Sequence, residues 1–336
     1  MGGIVLRNCE RLSEKWRDTL IIRIRPGRKK NLAHRSEPNL NMKRYTPVAP
    51  QNFLGLSDAD AAYESARAVI FPVPLERTTS YERGTAKGPA AILEASRYVE
   101  LYDEELEVEP YKEIGIATMP AIDTEDGTLE EVITEIYTAQ MAFIDDGKFP
   151  VALGGEHSLT PPLVAAMAKK HKDLSVLQID AHADLRDQYH GNSSSHACAM
   201  RRVLEVCPAV QVGIRSISIE EAKALPKLKT KIYWAKDIVR APLKAWIAKV
   251  LDDLSSTVYL TIDLDGFDPS LVPATGTPEP GGLDWHQVTS LVRAVADHKK
   301  IVGMDVVELL PQAGAHSSNF LAAKLVYKCL GYAFCQ

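Results

Sequence analysis

Cysteine is scarce: five occur in 336 residues, at positions 9, 198, 207, 329 and 335. No two form a CxxC pair, which removes the usual spacings of structural zinc and thiol redox sites. Scattered and odd in number, they suit reduced thiols, and a cytoplasmic location is expected. Long apolar runs are missing too. No stretch of about 18 apolar residues occurs, so nothing reads as a membrane span and the chain reads as soluble. Charge of one sign is not in large excess: the net value of -5 supplies no general attraction for nucleic acid or for an anionic membrane, and neither is an expected partner. What is present is a 46% hydrophobic composition, enough to bury a large core in one or two domains.

The first 42 residues depart from the rest. They hold ten Lys or Arg against four acids, an excess of +6 in a chain whose total is -5. This segment lacks the continuous apolar stretch of a secretory signal, and its acids weaken a transit-peptide reading. Leu6 stands where myristoylation of Gly2 wants Ser or Thr. Residues 1–42 are therefore expected to be a basic, loosely attached or disordered extension, with organelle targeting as the alternative and Met42 as a second plausible start. One catalytic domain is expected over 43–336.

From about Ala68, short apolar, β-branched runs alternate with helical patterns. AVIFPVP, FPVALGG, LSVLQID, AVQVGI, KIYWA, TVYLTIDLD and KIVGMDVVEL read as strands. GPAAILEASRYVELYDEEL, TLEEVITEIYTAQMAFIDDG, LTPPLVAAMAKKH and DWHQVTSLVRAVADH carry apolar residues at helical spacing. Such alternation predicts an α/β fold with a mainly parallel sheet covered on both faces. The Pro- and Gly-rich DPSLVPATGTPEPGG, flanked closely by a strand and a helix, reads as a long loop.

In a parallel sheet, ligands sit beyond the carboxyl ends of the strands. His157 follows one strand end, in GGEHS. Asp180, His182 and Asp184 follow another, in QIDAHADLRD, at a period of two that puts them on one side if the strand continues. Asp263 and Asp265 follow a third, and Asp305 and Glu308 lie near a fourth. Any one of these has a plain structural reading, a solvated acidic loop or a satisfied histidine. Together, so many carboxylates repel one another unless they are protonated, hydrated or hold a cation. Oxygen-rich donors with a minority of imidazole suit manganese or magnesium rather than zinc or copper. Two shared carboxylates suit a pair of ions about 3.5 to 4 Å apart, with a metal-bound hydroxide as nucleophile. Cys198, the nearby sulfur, reads as a small packing residue.

GGEHS, DAHADLRD and TIDLDGFDPSLVPATGTPEPGG resemble the three metal-binding signatures of the ureohydrolase (arginase/agmatinase) family, and the resemblance spans nearly everything after the leader. It implies a three-layer α/β/α, arginase-like fold around about eight strands, two manganese ions per chain, release of urea, and homo-oligomers of trimeric or hexameric type. It further implies that one ion takes His157, Asp180, Asp184 and Asp263 and the other Asp180, His182, Asp263 and Asp265, with Asp180 and Asp263 bridging. Asp184 would pass a proton toward the leaving nitrogen. Glu308 would bind the guanidinium cation, and His196 would contact substrate and relay protons to the departing amine.

Arginase-like members carry an Asn-Leu-His-Gly segment where this chain has Ser194-Ser195-His196-Ala197, and SHACAMRR is closer to agmatinase-type members. The expected reaction is agmatine to putrescine and urea, a step of polyamine biosynthesis, with aminopropylagmatine, guanidinobutyrate and arginine as alternatives in that order. Arg201 and Arg202 are expected on the following helix, facing away. A single-zinc deacetylase and a non-catalytic ureohydrolase-like binding subunit are the other readings.

Overall fold

The computed structural model describes residues 52–335. The basic leader, the domain start at 43 and Met42 lie outside the described residues. Runs rich in Val, Ile and Leu form the strands because branched side chains pack well on a pleated, buried surface. They are β1 (Ala68–Val73), β2 (Ile116–Thr118), β3 (Phe149–Gly154), β4 (Leu174–Ile179), β5 (Ala209–Ile214), β6 (Thr230–Trp234), β7 (Thr257–Asp263) and β8 (Lys300–Val307). All pair in parallel in one sheet of order β2-β1-β3-β8-β7-β4-β5-β6. Every residue of β1, β3, β4, β5 and β7 is buried, so helices cover both faces and the fold has three α/β/α layers.

Local chemistry sets the helix starts. Thr128 and Glu131 form a reciprocal capping box for the helix Leu129–Asp145, and Asp284 and Gln287 do so for Trp285–His298. Three features differ from the sequence reading. Strand β2 is three residues long, too short to show a periodic signal. The helical pattern that opens at Gly88 stops at Ser96. Beyond it, Asp103 Oδ1 accepts the Glu105 and Leu106 N–H groups and the Lys328 ammonium, so a side chain takes donors that a continuing helix needs. The strand before QIDAHADLRD also ends at Ile179, one residue before the acids begin.

The topology delivers the site. β3, β8, β7 and β4 are neighbours at the centre of the sheet, although β3 and β4 come early in the chain and β7 and β8 late. Ile179 pairs with Ile262, and Asp263 with Val307. That register brings Asp180, Asp263 and Glu308 side by side where the three strands end.

Candidate metal centre and active site

Two close approaches shape the floor of the site. A Cβ on Gly155 would sit 2.0 Å from Leu75 O, and one on Gly266 would sit 2.9 Å from Asp180 N; neither position has room for a side chain. The bare Gly155 backbone lets Glu308 N–H donate to Gly155 O at 2.8 Å, while His157 N–H donates to Glu308 Oε1 at 2.7 Å. Glu308 and Asp184 both take left-handed backbone angles, φ 64° and 51°, which cost energy for residues with a Cβ and concentrate at functional sites.

The acids converge by a route other than simple pleating. His182 and Asp184 lie beyond the strand, His182 bridging to Ser216, and the left-handed turn at Asp184 swings its carboxylate back. Asp265 sits in a single turn of 3-10 helix after β7, its N–H donating to Asp263 Oδ1 at 2.9 Å. The result is a tight cluster. His157 Nδ1 lies 3.1 Å from Asp180 Oδ2, 3.1 Å from Asp184 Oδ2 and 3.3 Å from Asp263 Oδ2. His182 Nδ1 lies 2.9 Å from Asp265 Oδ2 and 3.8 Å from Asp180 Oδ1. Two groups with metal-ligand spacing result, His157/Asp180/Asp184 and Asp180/His182/Asp265, and Asp180 belongs to both.

The electrostatics show how poorly this cluster tolerates being ionised alone. Burial, reinforced by the Asp265 and Asp184 charges, pushes Asp180 up to about 7. Asp263 is held well above the carboxylate range by burial and by Asp265 and Asp180. For the imidazoles, burial works toward the neutral form but is overcome. Asp180, Asp184 and Asp263 raise His157, and Asp265 above all raises His182 to about 11. Asp265 goes the other way: burial would raise it, and the facing His182 brings it down. Protons hold the charges apart here, which is the role that bound cations take over.

One ring nitrogen tests whether the residues fit divalent ions. His157 Nε2 lies 3.0 Å from Thr261 Oγ1, whose hydroxyl donates to Asp305 Oδ1 at 2.6 Å. With that proton spent on Asp305, Thr261 accepts from Nε2–H, so in the neutral ring, the form that ligates a metal, Nδ1 carries the lone pair. Nδ1 is buried without a hydrogen-bond partner among the described residues and is aimed at three carboxylates. A buried lone pair facing carboxylates is destabilising unless a proton or a metal cation sits between them, and a divalent ion can take the place of the proton, so the donor set fits. Asp305, taken from sequence as one of the strand-end acids, does not join the cluster. It is fully buried in β8 and accepts from Thr261, Tyr259 and Thr160, orienting His157 through Thr261.

His157, His182, Asp184, His196, Asp263, Asp265 and Glu308 all line one cavity of about 230 Å3. Tyr81, Glu82, Arg186 and Tyr189 also stand in its wall. Arg201 and Arg202 follow on the short helix Ala199–Val203 and turn toward Asp187, Arg202 Nη2 donating to Asp187 Oδ1 at 2.8 Å. Arg186, inside the DAHADLRD motif, is the one Arg or Lys among the described residues that line the cavity, stacked over Tyr189 with its guanidinium carbon 5.2 Å from the ring centroid. Sequence reasoning passed over Arg186, Thr261 and Glu156. The signal available for Glu156 was an acid set between Gly155 and His157 at a strand end.

The sequence model of the arginase family matches residues 66–331. The chain belongs to the arginase family. This sets aside the single-zinc deacetylase reading. The chain is 41% identical over 290 residues to the N(1)-aminopropylagmatine ureohydrolase of Synechocystis sp., covering 84% of this chain and 94% of that protein. It is 36% identical over 258 residues to the agmatinase of Bacillus anthracis, covering 74% and 86%. In three dimensions it is similar to a crystal structure of the agmatine ureohydrolase of Thermoplasma volcanium, with a TM-score of 0.75 and 34% identity over 82% of this chain and 93% of the other. The chain is an arginase-family hydrolase of ureohydrolase type. Among the described residues, no helix is long and apolar enough to cross a membrane.

Proposed function

We propose that this chain hydrolyses a linear guanidine to urea and an amine at two Mn2+ ions, with agmatine giving putrescine as the first reading. The observation that carries it is the unpartnered, buried His157 Nδ1 facing Asp180, Asp184 and Asp263. His157, Asp180, Asp184 and Asp263 would hold one ion and Asp180, His182, Asp263 and Asp265 the other. Oxygen-rich donors favour Mn2+ over softer metals. Bound there, the pair supplies Lewis acidity and water activated near neutral pH.

The chain's own groups do the rest. Glu308, fixed by the His157 N–H, presents its carboxylate to the guanidinium as a fork-shaped acceptor and orients the central carbon. Burial and the neighbouring Glu156 hold Glu308 well above its usual range, so a bound cation is the partner that lets it ionise. Asp184 accepts the proton released by the attacking water. His196 gives a proton to the departing amine.

A second reading has its own support. The relatives at 40 to 41% identity are named for aminopropylagmatine, and Tyr81 and Glu82 lie exposed at the cavity wall, where the extra cationic arm of that substrate would emerge. Arg186 in the same wall is the feature that would instead favour a carboxylate-bearing guanidine. A panel of agmatine, aminopropylagmatine, guanidinobutyrate and arginine, scored by urea release beside elemental analysis of the protein, tests the reading. Two Mn2+ per chain and the highest kcat/KM for agmatine are expected; a single zinc, or no urea from any of the four, overturns it. A cytoplasmic trimer or hexamer acting in polyamine synthesis completes the proposal.

A further inference from the structure

Glu156 is a fully buried carboxylate next to His157 in the chain, yet it belongs to neither ligand group. Four donors converge on its oxygens. Arg77 N–H and Thr78 N–H reach Oε2 at 2.7 and 2.6 Å, and the hydroxyls of Ser158 and Thr78 reach Oε1 at 2.5 and 2.7 Å. Thr78 therefore has its only hydroxyl proton committed to Glu156, and Oγ1 offers nothing but lone pairs to its other neighbours. Both of those belong to His196. The His196 backbone N–H, which can only donate, lies 2.9 Å away, and the ring Nδ1 lies 3.1 Å away. For Nδ1 to bond to an oxygen with no proton left, Nδ1 must carry one.

We infer that Thr78, held by Glu156, is a positioning residue that fixes neutral His196 in its Nδ1–H form, leaving Nε2 as the nitrogen that gives a proton to the departing amine. The inference rests on the ureohydrolase reading for its consequence, not for its hydrogen bonds. The proton count closes. In the imidazolium form both nitrogens carry protons; the Nε2 proton passes to the leaving nitrogen as the C–N bond breaks, and the ring returns to the Nδ1–H form. Nothing changes at Thr78 through the cycle. Without this acceptor a neutral imidazole tends to the opposite form, with its lone pair turned away from the cavity. Two serines compete: Ser195, whose Oγ lies 3.3 Å from the same Nδ1 and has a proton of its own to give, and Ser80, whose Oγ lies 3.5 Å from Nε2 and can accept from it or donate to it.

The test uses the full chain with ring-15N histidine, metal-free for spectroscopy and Mn2+-loaded for kinetics. The His196 signals are assigned by their loss in His196→Ala. In the wild type at a pH where the ring is neutral, Nδ1–H is expected. In Thr78→Val, the same shape without the hydroxyl, that form should be lost. The kcat for urea release should fall about tenfold, a modest part of what general acid catalysis contributes, with KM and Mn2+ content within about twofold. Thr78→Ser should restore both. An Nε2–H ring in the wild type, or an Nδ1–H ring and full kcat kept by Thr78→Val, overturns the inference and hands the role to Ser195. Should Thr78→Val fail to fold, the wild-type spectrum and Thr78→Ser still decide it. If the wild type releases no urea, the functional reading fails while the tautomer readout remains.

Discussion

Thr261 Oγ1 lies 3.0 Å from His157 Nε2, and this contact turns the opposite face of the imidazole, Nδ1, toward the acids. The hydroxyl is itself aimed by Asp305 at 2.6 Å. Partners of this kind outside the ligand shell set ring orientation and are worth about 10–100-fold in metal affinity. Thr261→Val, which keeps the β-branched shape that a buried strand prefers, should therefore weaken Mn2+ binding by about that factor while the protein folds normally. Calorimetric titration of the metal-free protein measures it, and wild-type affinity in the variant would show the contact to be incidental.

A carboxylate shared by two ions should differ in effect from a ligand to one. Asp180 belongs to both histidine groups, whereas His157 belongs to one. Asp180→Asn should bring the metal content well below one ion per chain. His157→Ala should leave about one tightly held ion, since His182, Asp180 and Asp265 stay in place. Elemental analysis after gel filtration separates the two cases; equal losses in both variants would contradict the bridging assignment.

The metal-free protein should lose stability as pH rises. His182 is lifted from 6.5 to about 11 in the fold. Its contribution is complete below 6.5 and drains away as pH climbs toward the folded value. His157, also raised, acts in the same direction. Asp180, lifted to about 7, is a carboxyl that the fold prefers protonated, so its penalty grows from the ordinary carboxylate range up to about 7. The depressed Asp265 opposes these only in acid. The melting temperature of chelator-treated protein should thus fall from pH 6 to pH 9, and saturating Mn2+ should flatten the slope, because ions displace the protons and bind more tightly as pH rises. A metal-free protein equally stable at both pH values would count against the cluster as drawn.

Much of this site is legible in the sequence because its chemistry is concentrated at strand ends. Buried strands announce themselves as apolar runs, and acids that follow them at once are costly enough to be conspicuous. His157, Asp180, His182, Asp184, Asp263 and Asp265 stand out by that logic, while their division between two ions rests on the family resemblance; the strand stops at Ile179, so the condition for a period-two alternation through Asp184 is not met, and Asp184 takes a positive φ instead. Supporting residues are harder to read. Thr261 and Asp305 lie inside strands, where a polar residue looks the same whether it satisfies the core or steers a ligand. Thr78 and Glu156 are 78 positions apart, and no local pattern links them. Strand β2, three residues long, carries too little periodicity to be seen.

Glu308 offers the sharpest test of the substrate's charge. Its Oε1 accepts the His157 N–H at 2.7 Å, and that donor needs an oxygen opposite it. In Glu308→Gln the amide must therefore place its carbonyl toward His157 and its NH2 toward the cavity. A guanidinium has only donors to offer, so the variant sets donor against donor where the wild type provides an acceptor. Loss of a charged hydrogen bond costs about 1.5–3 kcal/mol, or roughly ten- to a hundredfold in kcat/KM. The reversed dipole and the misplaced carbon should add to this. Both ions should stay bound, because Glu308 is outside the two ligand groups. Activity down by two or more orders of magnitude with full Mn2+ content is the expected result, measured by urea release and elemental analysis on the same sample. Near-normal turnover of agmatine by this variant would mean that the guanidinium is held elsewhere, and loss of metal along with activity would move Glu308 into the metal site itself.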